Sequence, residues 1–394
     1  MPTNQNDAFA DSIKSKLPGV QTSIFAVMSA LALENNALNL AQGFPNFDCS
    51  DKLKLLVSQY MNMGLNQYAP MPGVPLLRQR IAEKIRRCYH TIVGPEVEIT
   101  ITTGATQGIF AAVSAFVSPG DEVIIFEPAY DCYAPSIVLN GGIPKPITLH
   151  PPGFEMDWDL LKKTISPKTR LLIINNPHNP CGKVMSASDM LQLQEILMGT
   201  KIILLSDEVY EHLVFDNAQH QSVLLYPDLY NRSIITFSFG KTFHNTGWKI
   251  GYCVAPKNLS AEIRKAHQFI VFSVNTPIQH ALAEYLKDPK VYQGLGNFYE
   301  FKRNTLLNHM ENSGFRPLPC GGSYFQLFDY SAFSNENDLA FARRLVEEAG
   351  VATIPVSAFC TDEYPHQLIR ICFAKNDETL QQGANQLKQW AYSM

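Results

Sequence analysis

The sequence has no hydrophobic run long enough to cross a bilayer, no basic stripe and no paired cysteines. No apolar run approaches the roughly 20 residues that a membrane-spanning helix needs. The 394 residues carry 32 basic and 36 acidic side chains, a net charge of −4, which disfavours nucleic acid or an anionic membrane as a partner. The eight cysteines are scattered without a CxxC pair, so we expect reduced thiols and no metal site.

Signals for targeting, for repeats and for nucleotide binding are missing as well. The first residues, Met1–Asp7, are polar and lack the basic segment and apolar core of a signal peptide, so we expect a cytoplasmic protein. The chain contains no internal repeat and no low-complexity stretch. The glycine-containing segment Thr102–Gln107 has neither the GxxxxGK[ST] spacing nor GxGxxG after a strand, which makes ATP and NAD poor candidates.

The middle of the chain alternates short apolar runs with helical patterns. Four runs are typical of strands buried on both faces: Glu122–Phe126, Leu171–Ile174, Ile202–Leu205 and Ile234–Phe237. Helical segments lie between them, such as Ser188–Met198, for which we expect Ser188 to be the N-cap and Gly199 to follow the end. This alternation predicts a parallel α/β sheet whose ligands bind at the carboxyl ends of the strands.

The pattern changes after residue 285. Leu286–Lys290 is predicted to be a junction between two domains. After it, the pattern predicts amphipathic helices such as Asp338–Ala349 and short strands such as Tyr324–Phe328 and Leu368–Phe373. A chain of this length, 46% hydrophobic, can fill more than one core. We therefore expect an N-terminal arm with part of a small domain, a large domain and a small C-terminal domain, in residues 1–45, 46–285 and 286–394 respectively.

One lysine is distinguished by its surroundings. The strand-like run Ile234–Phe237 leads into SFGKTFHNTGWKIG, residues 238–251, a turn rich in small residues that presents Lys241. An amine held on a turn after a buried strand can condense with an aldehyde, and pyridoxal 5′-phosphate (PLP) is the cofactor that supplies one. For this segment alone, a lysine on an ordinary surface loop is the alternative.

Three polar or aromatic residues directly follow other predicted strands. Asp207, after the third strand, can pair with the protonated pyridine nitrogen of PLP, or it can cap the next segment. Asn179 lies in a loop with two prolines after the second strand, where its amide can donate to the phenolate oxygen of the cofactor, although Asn-Pro loops are common turns. Tyr130, after the first strand, can stack on a flat ring or belong to the core.

An anion site is predicted where Thr102–Gln107 opens the helical run Gly108–Phe116. Small residues at a helix start leave backbone N–H groups free, and the helix dipole favours an anion there. Ser238 and Lys249 can complete a phosphate site with a hydroxyl group and a cation. The sequence therefore provides candidate contacts for the phosphate of PLP as well as for its ring.

Arg370 stands inside the apolar run Leu368–Phe373. An unpaired guanidinium is costly to bury, so we expect it to have a carboxylate partner that accepts two parallel hydrogen bonds. The partner can be the carboxylate of a ligand or, as the alternative, an acidic side chain in an internal salt bridge.

In this order the segments resemble the fold-type-I, class I PLP-dependent aminotransferases, and the likeness runs essentially from end to end. The block SFGKTFHNTGWKIGY is highly specific, and NNPHNPCGK and SDEVYEH are strong companions. The resemblance implies an α/β large domain with a mostly parallel seven-stranded sheet flanked by helices, and a smaller α+β domain. It also implies PLP as the cofactor and a homodimer with shared active sites.

The resemblance assigns roles to individual residues. Lys241 would bond covalently to PLP and act as the base, Asp207 would pair with the pyridine nitrogen, and Tyr210 would bond the phenolic oxygen together with Asn179. Tyr130 would stack on the ring. The implied phosphate contacts are Gly104, Ala105, Thr106, Ser238, Lys249 and, from a neighbouring subunit, Tyr68. The implied substrate contacts are Arg370 for the α-carboxylate, with Gly43, Asn179, Phe25 and Phe359.

Within this class, the sequence most resembles the branch of kynurenine, glutamine–phenylpyruvate and methionine aminotransferases. An aromatic pocket that includes Phe25 and Phe359 would suit a thioether or a flat ring. The segment between Phe269 and His280 lacks the arginine expected for a dicarboxylate substrate and the aromatic-His pair of the vertebrate kynurenine enzymes. We expect ping-pong transfer of the amino group of an apolar, sulfur-containing or aromatic L-amino acid, with methionine favoured, to a 2-oxo acid.

Other functions stay open at this point. A cysteine-S-conjugate or cystathionine β-lyase would use the same cofactor contacts, and kynurenine or glutamine transamination is an alternative main activity. A regulatory protein that only senses a ligand is disfavoured, because such proteins usually carry a DNA-binding module and only a short polar arm precedes the core here.

Overall fold

The computed structural model describes residues 13–394. The predicted segment Met1–Asp7 and the rest of residues 1–12 of the predicted arm lie outside the described residues. The helices are α1 Ile24–Glu34, α2 Asp51–Asn62, α3 Pro75–Tyr89, α4 Gly104–Phe116, α5 Tyr133–Leu139, α6 Trp158–Thr164, α7 Ala187–Leu197, α8 Pro227–Tyr230, α9 Phe239–Thr242, α10 Lys257–Ile270, α11 Thr276–Tyr285, α12 Leu295–Met310, α13 Asp338–Arg344 and α14 Asp377–Tyr392. The strands are β1 Leu38–Asn39, β2 Ile99–Thr102, β3 Glu122–Glu127, β4 Ile143–Thr148, β5 Thr169–Asn175, β6 Ile203–Asp207, β7 Ser233–Ser238, β8 Gly251–Val254, β9 Arg316–Pro317, β10 Phe325–Asp329, β11 Val351–Ala352, β12 Ile354–Pro355 and β13 Leu368–Cys372.

Seven strands form the central sheet in the order β2-β8-β7-β6-β5-β3-β4. Strands β4, β3, β5, β6 and β7 run parallel to one another, whereas β8 is antiparallel to both β7 and β2. Successive residues of the inner strands alternate between two apolar clusters, one on each face of the sheet. A parallel sheet covered on both faces needs such continuous apolar strands, so the predicted mostly parallel seven-stranded α/β sheet is confirmed.

The register of the sheet places three polar residues side by side. Asn175 at the end of β5 pairs with Asp207 at the end of β6, and Asp207 pairs with Thr236 of β7. On the next strand pair, Ser238 lies opposite Gly251. A side chain on Gly251 would place its Cβ 2.4 Å from the carbonyl oxygen of Phe237, so glycine is required there. This edge of the sheet therefore collects the functional groups that directly follow the strands.

Two helix starts differ from the sequence prediction. Helix α7 is capped by Ser186 rather than Ser188: the Ser186 side chain accepts from the backbone N–H of Asp189, and the Asp189 carboxylate accepts in return from the N–H of Ser186. This reciprocal pair satisfies two N–H groups at once, which a cap at Ser188 would not do. Helix α4 begins at Gly104, earlier than the predicted helical run, so the small residues there form its first turn.

The C-terminal part is built on a four-stranded antiparallel sheet in the order β12-β13-β10-β9. Strand β1 from the N-terminal part pairs in parallel with β11, Leu38 opposite Val351. An aromatic-rich cluster fills the space between this sheet and helices α12 and α14. The predicted junction at residues 286–290 is the connection between α11 and α12 and contains a single 3₁₀ turn, Pro289–Val291.

A buried ion pair lies beside the loop that follows β6. The Lys84 ammonium is 2.5 Å from a carboxylate oxygen of Glu211, and both side chains are 3% exposed. Tyr89 donates to the same carboxylate, and Tyr252 lies 3.1 Å from the ammonium. Burial alone would raise the pKa of Glu211, but Lys84, His212 and these hydrogen bonds lower it to about 2. The pair ties helix α3 to the loop that carries the functional residues.

Replacement of Lys84 by methionine should lower the free energy of unfolding by about 3–5 kcal/mol, because it leaves the Glu211 carboxylate buried without its cation. Urea-induced unfolding measures the change. The control is Lys54→Met, which removes a cation from two exposed carboxylates and should cost far less. The double variant Lys84→Met/Glu211→Leu should recover most of the loss. Equal losses for Lys84→Met and Lys54→Met would contradict the assignment.

Candidate active site

A cavity at the carboxyl edge of the central sheet brings together most of the residues that the sequence predicts for the site. Those that line it are Phe25, Gly43, Gly104, Ala105, Thr106, Tyr130, Asn179, Asp207, Tyr210, Ser238, Lys241, Lys249 and Arg370. They come from eight separate stretches of the chain, and the connections after β2, β3, β5, β6 and β7 carry most of them. Residues distant in sequence meet here because parallel strands deliver their following loops to one edge.

Two predicted residues lie outside the cavity walls. Tyr68 is 81% exposed and packs edge-to-face against Phe272, with 5.3 Å between the ring centroids. Phe359 is buried behind Phe25, and its ring centroid lies 4.8 Å from the guanidinium carbon of Arg370. Within this chain, Phe359 therefore touches the site through Arg370, and Tyr68 does not reach it. Their roles toward substrate and phosphate remain predictions.

Asp207 is a buried carboxylate in the cavity lining. One of its oxygens accepts a hydrogen bond of 2.7 Å from the Tyr133 hydroxyl, and the other lies 3.5 Å from the hydroxyl of Thr236. Burial raises the pKa of Asp207 to about 6, although these hydrogen bonds and the nearby Lys241 lower it. A carboxylate held at this pKa is suited to share a proton with a basic ring nitrogen of similar pKa.

Lys241 projects into the cavity from α9, the single helical turn that follows β7. Its ammonium donates to the Tyr324 hydroxyl over 2.5 Å, and lies 5.6 Å from the ring centroid of Tyr210. Burial lowers the pKa of Lys241 to about 8. At pH 7 roughly a tenth of this amine is therefore unprotonated, far more than for a lysine of ordinary pKa, and this is the form that attacks an aldehyde or removes a proton.

The start of helix α4 and one lysine form an anion-binding corner. Gly104 has φ of +70°, a conformation that favours glycine, and the Thr103 side chain makes no capping hydrogen bond. The ammonium of Lys249 lies 3.4 Å from the position that a Cβ on Gly104 would occupy, and Ser238 lines the same corner. Free N–H groups, a hydroxyl and a cation are the donors that a phosphate group requires.

The aromatic and amide side chains above this corner are fixed by hydrogen bonds. The Tyr130 hydroxyl lies 3.2 Å from the hydroxyl of Thr106, on the first turn of α4. The amide oxygen of Asn179 accepts from Arg370 over 3.0 Å, and its backbone N–H donates to the Asn175 side chain. Both side chains are therefore oriented before any ligand binds.

Arg370, on β13, is 1% exposed and lines the same cavity. One terminal nitrogen donates to Asn179 and the other to the carbonyl oxygen of Ala41, over 3.1 Å. The guanidinium stacks on Phe325, 3.9 Å from the ring centroid. Burial lowers its pKa to about 10, so it stays cationic at neutral pH. Among residues 13–394 no carboxylate forms an ion pair with it, so the internal salt bridge considered from sequence is absent there.

The residues present fit PLP. The cavity offers an amine of lowered pKa for the aldehyde, a buried carboxylate for the ring nitrogen and a donor-rich corner for the phosphate. Within residues 13–394 no three His, Cys, Asp or Glu side chains are grouped as metal ligands. No helix in the same range combines the length and apolar character that crossing a membrane requires.

A parallel sheet that delivers a lysine, a buried carboxylate and a phosphate corner to one cavity defines a PLP-dependent transferase of fold type I. Residues 35–387 match the family described as aminotransferase class I and II, and the chain belongs to this family. Members of the family depend on PLP. The protein is accordingly an aminotransferase.

Several relatives are similar over nearly their whole length. A methionine aminotransferase of Escherichia coli K12 is 49% identical over 377 residues, 95% of this chain and 98% of the relative. A kynurenine–oxoglutarate transaminase of Dictyostelium discoideum is 35% identical, over 94% and 95% of the two chains. A crystal structure of an Escherichia coli protein with methionine aminotransferase function superposes with a TM-score of 0.94 at 49% identity, covering 96% of this chain and 99% of that chain.

The sequence analysis missed several residues that shape the site. Tyr133 holds Asp207, Tyr324 holds Lys241, and Phe325 stacks on Arg370. Tyr324 and Phe325 lie in the strand predicted over residues 324–328, but an aromatic residue gives no sequence signal of the group it faces. The positions of these residues, at the start of β10 or past the end of β3, become informative only when the sheet order is known.

In the protein without cofactor, Asp207→Asn should increase the free energy of unfolding at about pH 8, by on the order of 3 kcal/mol. The folded-state pKa, about 6, lies above the ordinary 3.8, so the stability of the unaltered protein falls as pH rises between these values. Urea unfolding from about pH 4 to about pH 8 should show the two proteins equal at the acid end and separated above pH 6.

The control for this prediction is Asp216→Asn. The Arg303 hydrogen bond lowers the pKa of Asp216, so loss of its charge should not stabilise the protein at any pH in this range. If Asp207→Asn is no more stable than the unaltered protein above pH 6, the buried carboxylate does not carry the cost assigned to it.

Proposed function

We propose that this aminotransferase takes the amino group of L-methionine, or of a similarly apolar L-amino acid, and transfers it to a 2-oxo acid. The observation that carries the proposal is Arg370, a buried cation without a carboxylate partner among the described residues, surrounded by aromatic rings. Such a site binds a carboxylate that is attached to an apolar group. The similarity to the methionine aminotransferase of Escherichia coli supports methionine as this amino acid.

The cavity favours a substrate with one carboxylate. Among the described residues its lining cations are Lys241, Lys249 and Arg370, and the proposal assigns these to the cofactor aldehyde, the phosphate and the α-carboxylate. A second carboxylate on the substrate side chain would then be desolvated without a cation. The side-chain region is formed by Phe25, Phe44 and Phe325, whose faces and edges suit a thioether.

When bound, PLP supplies the aldehyde that takes up the amino group and a ring that withdraws electrons from the bonds at the substrate Cα. Lys241 Nζ removes the proton from Cα and later returns one, because its lowered pKa makes the unprotonated form accessible near neutral pH. Asp207 keeps the proton on the pyridine nitrogen. Tyr210 and Asn179 would hold the phenolic oxygen, and Tyr130 would cover the ring.

The remaining contacts follow the same reasoning. We assign the phosphate to the start of α4 with Ser238 and Lys249, and the substrate carboxylate to Arg370 with Asn179 and the backbone of Gly43. Phe359 supports Arg370 from behind and Phe25 forms the side wall.

Quaternary structure and location are part of the proposal. Tyr68 is exposed, as expected for a residue that reaches the phosphate in a neighbouring subunit, and we propose a homodimer with shared active sites. All eight cysteines are free, the thiol state typical of the cytoplasm, where we place the protein. The proposed division of the chain is an N-terminal arm with part of the small domain in residues 1–45, a large domain in residues 46–285 and a small C-terminal domain in residues 286–394.

The function is tested by a half-reaction of the purified holoenzyme with L-methionine and no 2-oxo acid. We expect release of 4-methylthio-2-oxobutanoate in an amount equal to the active sites, followed by a stop that a 2-oxo acid relieves. Methanethiol and ammonia as products would overturn the proposal in favour of elimination. Reaction with kynurenine but not with methionine would leave the class intact and replace the substrate.

Arg370→Ala should raise KM for L-methionine about 100-fold, because two charge-assisted hydrogen bonds to the carboxylate are lost. The matched control is 3-(methylthio)propylamine, the same amine without its carboxylate. Its reaction, slow in the unaltered enzyme, should change little in the variant. Steady-state kinetics with both amines give the comparison, and an equal loss for the two would show that Arg370 serves the fold rather than the carboxylate.

A further inference from the structure

The Tyr324 hydroxyl lies between the functional lysine and the backbone of an N-terminal segment. Tyr324 is fully buried, and its Oη is 2.5 Å from Lys241 Nζ and 2.6 Å from the carbonyl oxygen of Gly43. A carbonyl oxygen only accepts hydrogen bonds, so the single hydroxyl proton of Tyr324 points to Gly43. Toward Lys241 the hydroxyl is therefore an acceptor, and the amine is the donor.

We propose that Tyr324 is a positioning residue for Lys241: its hydroxyl holds the amine in place for proton transfer and ties that place to the backbone at Gly43. This inference rests on the proposed function, in which Lys241 is the base. Tyr324 directly precedes β10 of the C-terminal sheet, whereas Asp207, Tyr210 and Lys241 lie at the end of, or after, strands of the central sheet.

The directions of the hydrogen bonds explain what the contact achieves. A neutral amine has two N–H bonds and one lone pair. One N–H of Lys241 points to Tyr324, and the Gly43 carbonyl, 3.4 Å from Nζ, lies on the same side. Once both N–H bonds are engaged there, the lone pair is the remaining position, and it is the one that takes up a proton. Without Tyr324 the amine would rotate freely about its last bond.

The Gly43 carbonyl is itself held in a fixed place. Four successive carbonyl oxygens of Ala41–Phe44 accept hydrogen bonds from buried side chains: Ala41 from Arg370, Gln42 and Phe44 from Lys375, and Gly43 from Tyr324. A Cβ on Gly43 would lie 3.0 Å from the ring of Phe325, so this segment packs closely. Tyr324 thus links the position of Lys241 to a backbone segment that is itself held by hydrogen bonds.

The charged and titratable groups that face Lys241 come from several elements. Cys372, Arg370, Asp207 and Lys249 act on it through space, and the rings of Tyr210 and Tyr324 lie 5.6 Å and 5.1 Å from Nζ. Burial dominates and lowers the pKa of Lys241. An acceptor such as the Tyr324 hydroxyl favours the ammonium form, so its removal should lower this pKa further.

The first measurement uses the full-length protein without cofactor. The rate of acetylation of Lys241 by acetic anhydride, followed by peptide mass spectrometry across a pH series, gives the pKa of its amine. In Tyr324→Phe we expect a pKa about 1 lower, the effect of one hydrogen bond to a charged group. Because no substrate is present, this test stands even if the proposed aminotransferase activity fails in the half-reaction.

The second measurement uses the holoenzyme and an amino acid that the unaltered enzyme converts. Tyr324→Phe should lower kcat of the half-reaction about tenfold or more with little change in KM, because a misplaced base slows proton transfer but leaves carboxylate binding intact. The kinetic isotope effect of Cα-deuterated substrate should rise, since proton removal becomes more rate-limiting.

Tyr299→Phe is the matched control. Tyr299 is buried in the same aromatic cluster, 5.9 Å from Tyr324 between ring centroids, and its hydroxyl has no partner among the described residues. It should leave both measurements unchanged. If Tyr324→Phe does not fold, 3-fluorotyrosine at position 324 keeps the shape and weakens the acceptor, and should shift the Lys241 pKa in the same direction. A Tyr324 variant that matches Tyr299→Phe in both measurements would overturn the proposal.

Discussion

The constraint on which the site depends is the burial of the Arg370 guanidinium, which forms no ion pair with a carboxylate among residues 13–394. Arg370 is enclosed by three phenylalanine rings, one amide and one carbonyl group, and its Nε has no partner among the described residues. The interior compensates such a charge only partly, because neutral dipoles are weaker partners than a carboxylate. A ligand that brings a carboxylate and an apolar side chain satisfies both the cation and the rings around it. The class of ligand proposed for this site thus follows from the burial of Arg370 on β13 and from the rings packed around it.

The same balance applies at the other functional groups. Burial raises the pKa of Asp207 to about 6 and lowers that of Lys241 to about 8. In both cases burial favours the neutral form of the side chain. The surrounding structure must offset the free-energy cost of burying these groups. Within it, the Lys84–Glu211 pair anchors the loop after β6 to helix α3. Lys84 and Glu211 form an ion pair, whereas Asp207, Lys241 and Arg370 in the cavity have no ion-pair partner among the described residues. The contrast separates groups that stabilise the fold from groups kept available for a ligand.

Sequence patterns predicted the parts of this protein that local rules control. Continuous apolar runs predicted β3, β5, β6 and β7 because strands buried on both faces need them, and the residues just past those strands were predicted to meet. The predicted N-cap of α7 was wrong by two residues. Ser186 and Ser188 are equally good candidates until the reciprocal hydrogen bonds between Ser186 and Asp189 are seen. Tyr133 and Tyr324 could not be assigned from sequence. Their partners, Asp207 and Lys241, are 74 and 83 residues away along the chain, and only the sheet order makes them neighbours.

The position of Gly43 connects these observations. Its carbonyl accepts from Tyr324, its missing side chain lets Phe325 pack against the backbone, and the preceding carbonyl of Ala41 accepts from Arg370. One short backbone segment therefore contacts both the group proposed to bind the substrate carboxylate and the residue that holds the proposed base. Any carboxylate that binds Arg370 must share the guanidinium donors with Ala41 and Asn179. Because all four carbonyl oxygens of Ala41–Phe44 accept side-chain hydrogen bonds, this segment is a continuous physical link between Arg370 and the Tyr324–Lys241 pair. The proposed binding of the carboxylate and the proposed placement of the amine therefore involve the same four backbone residues.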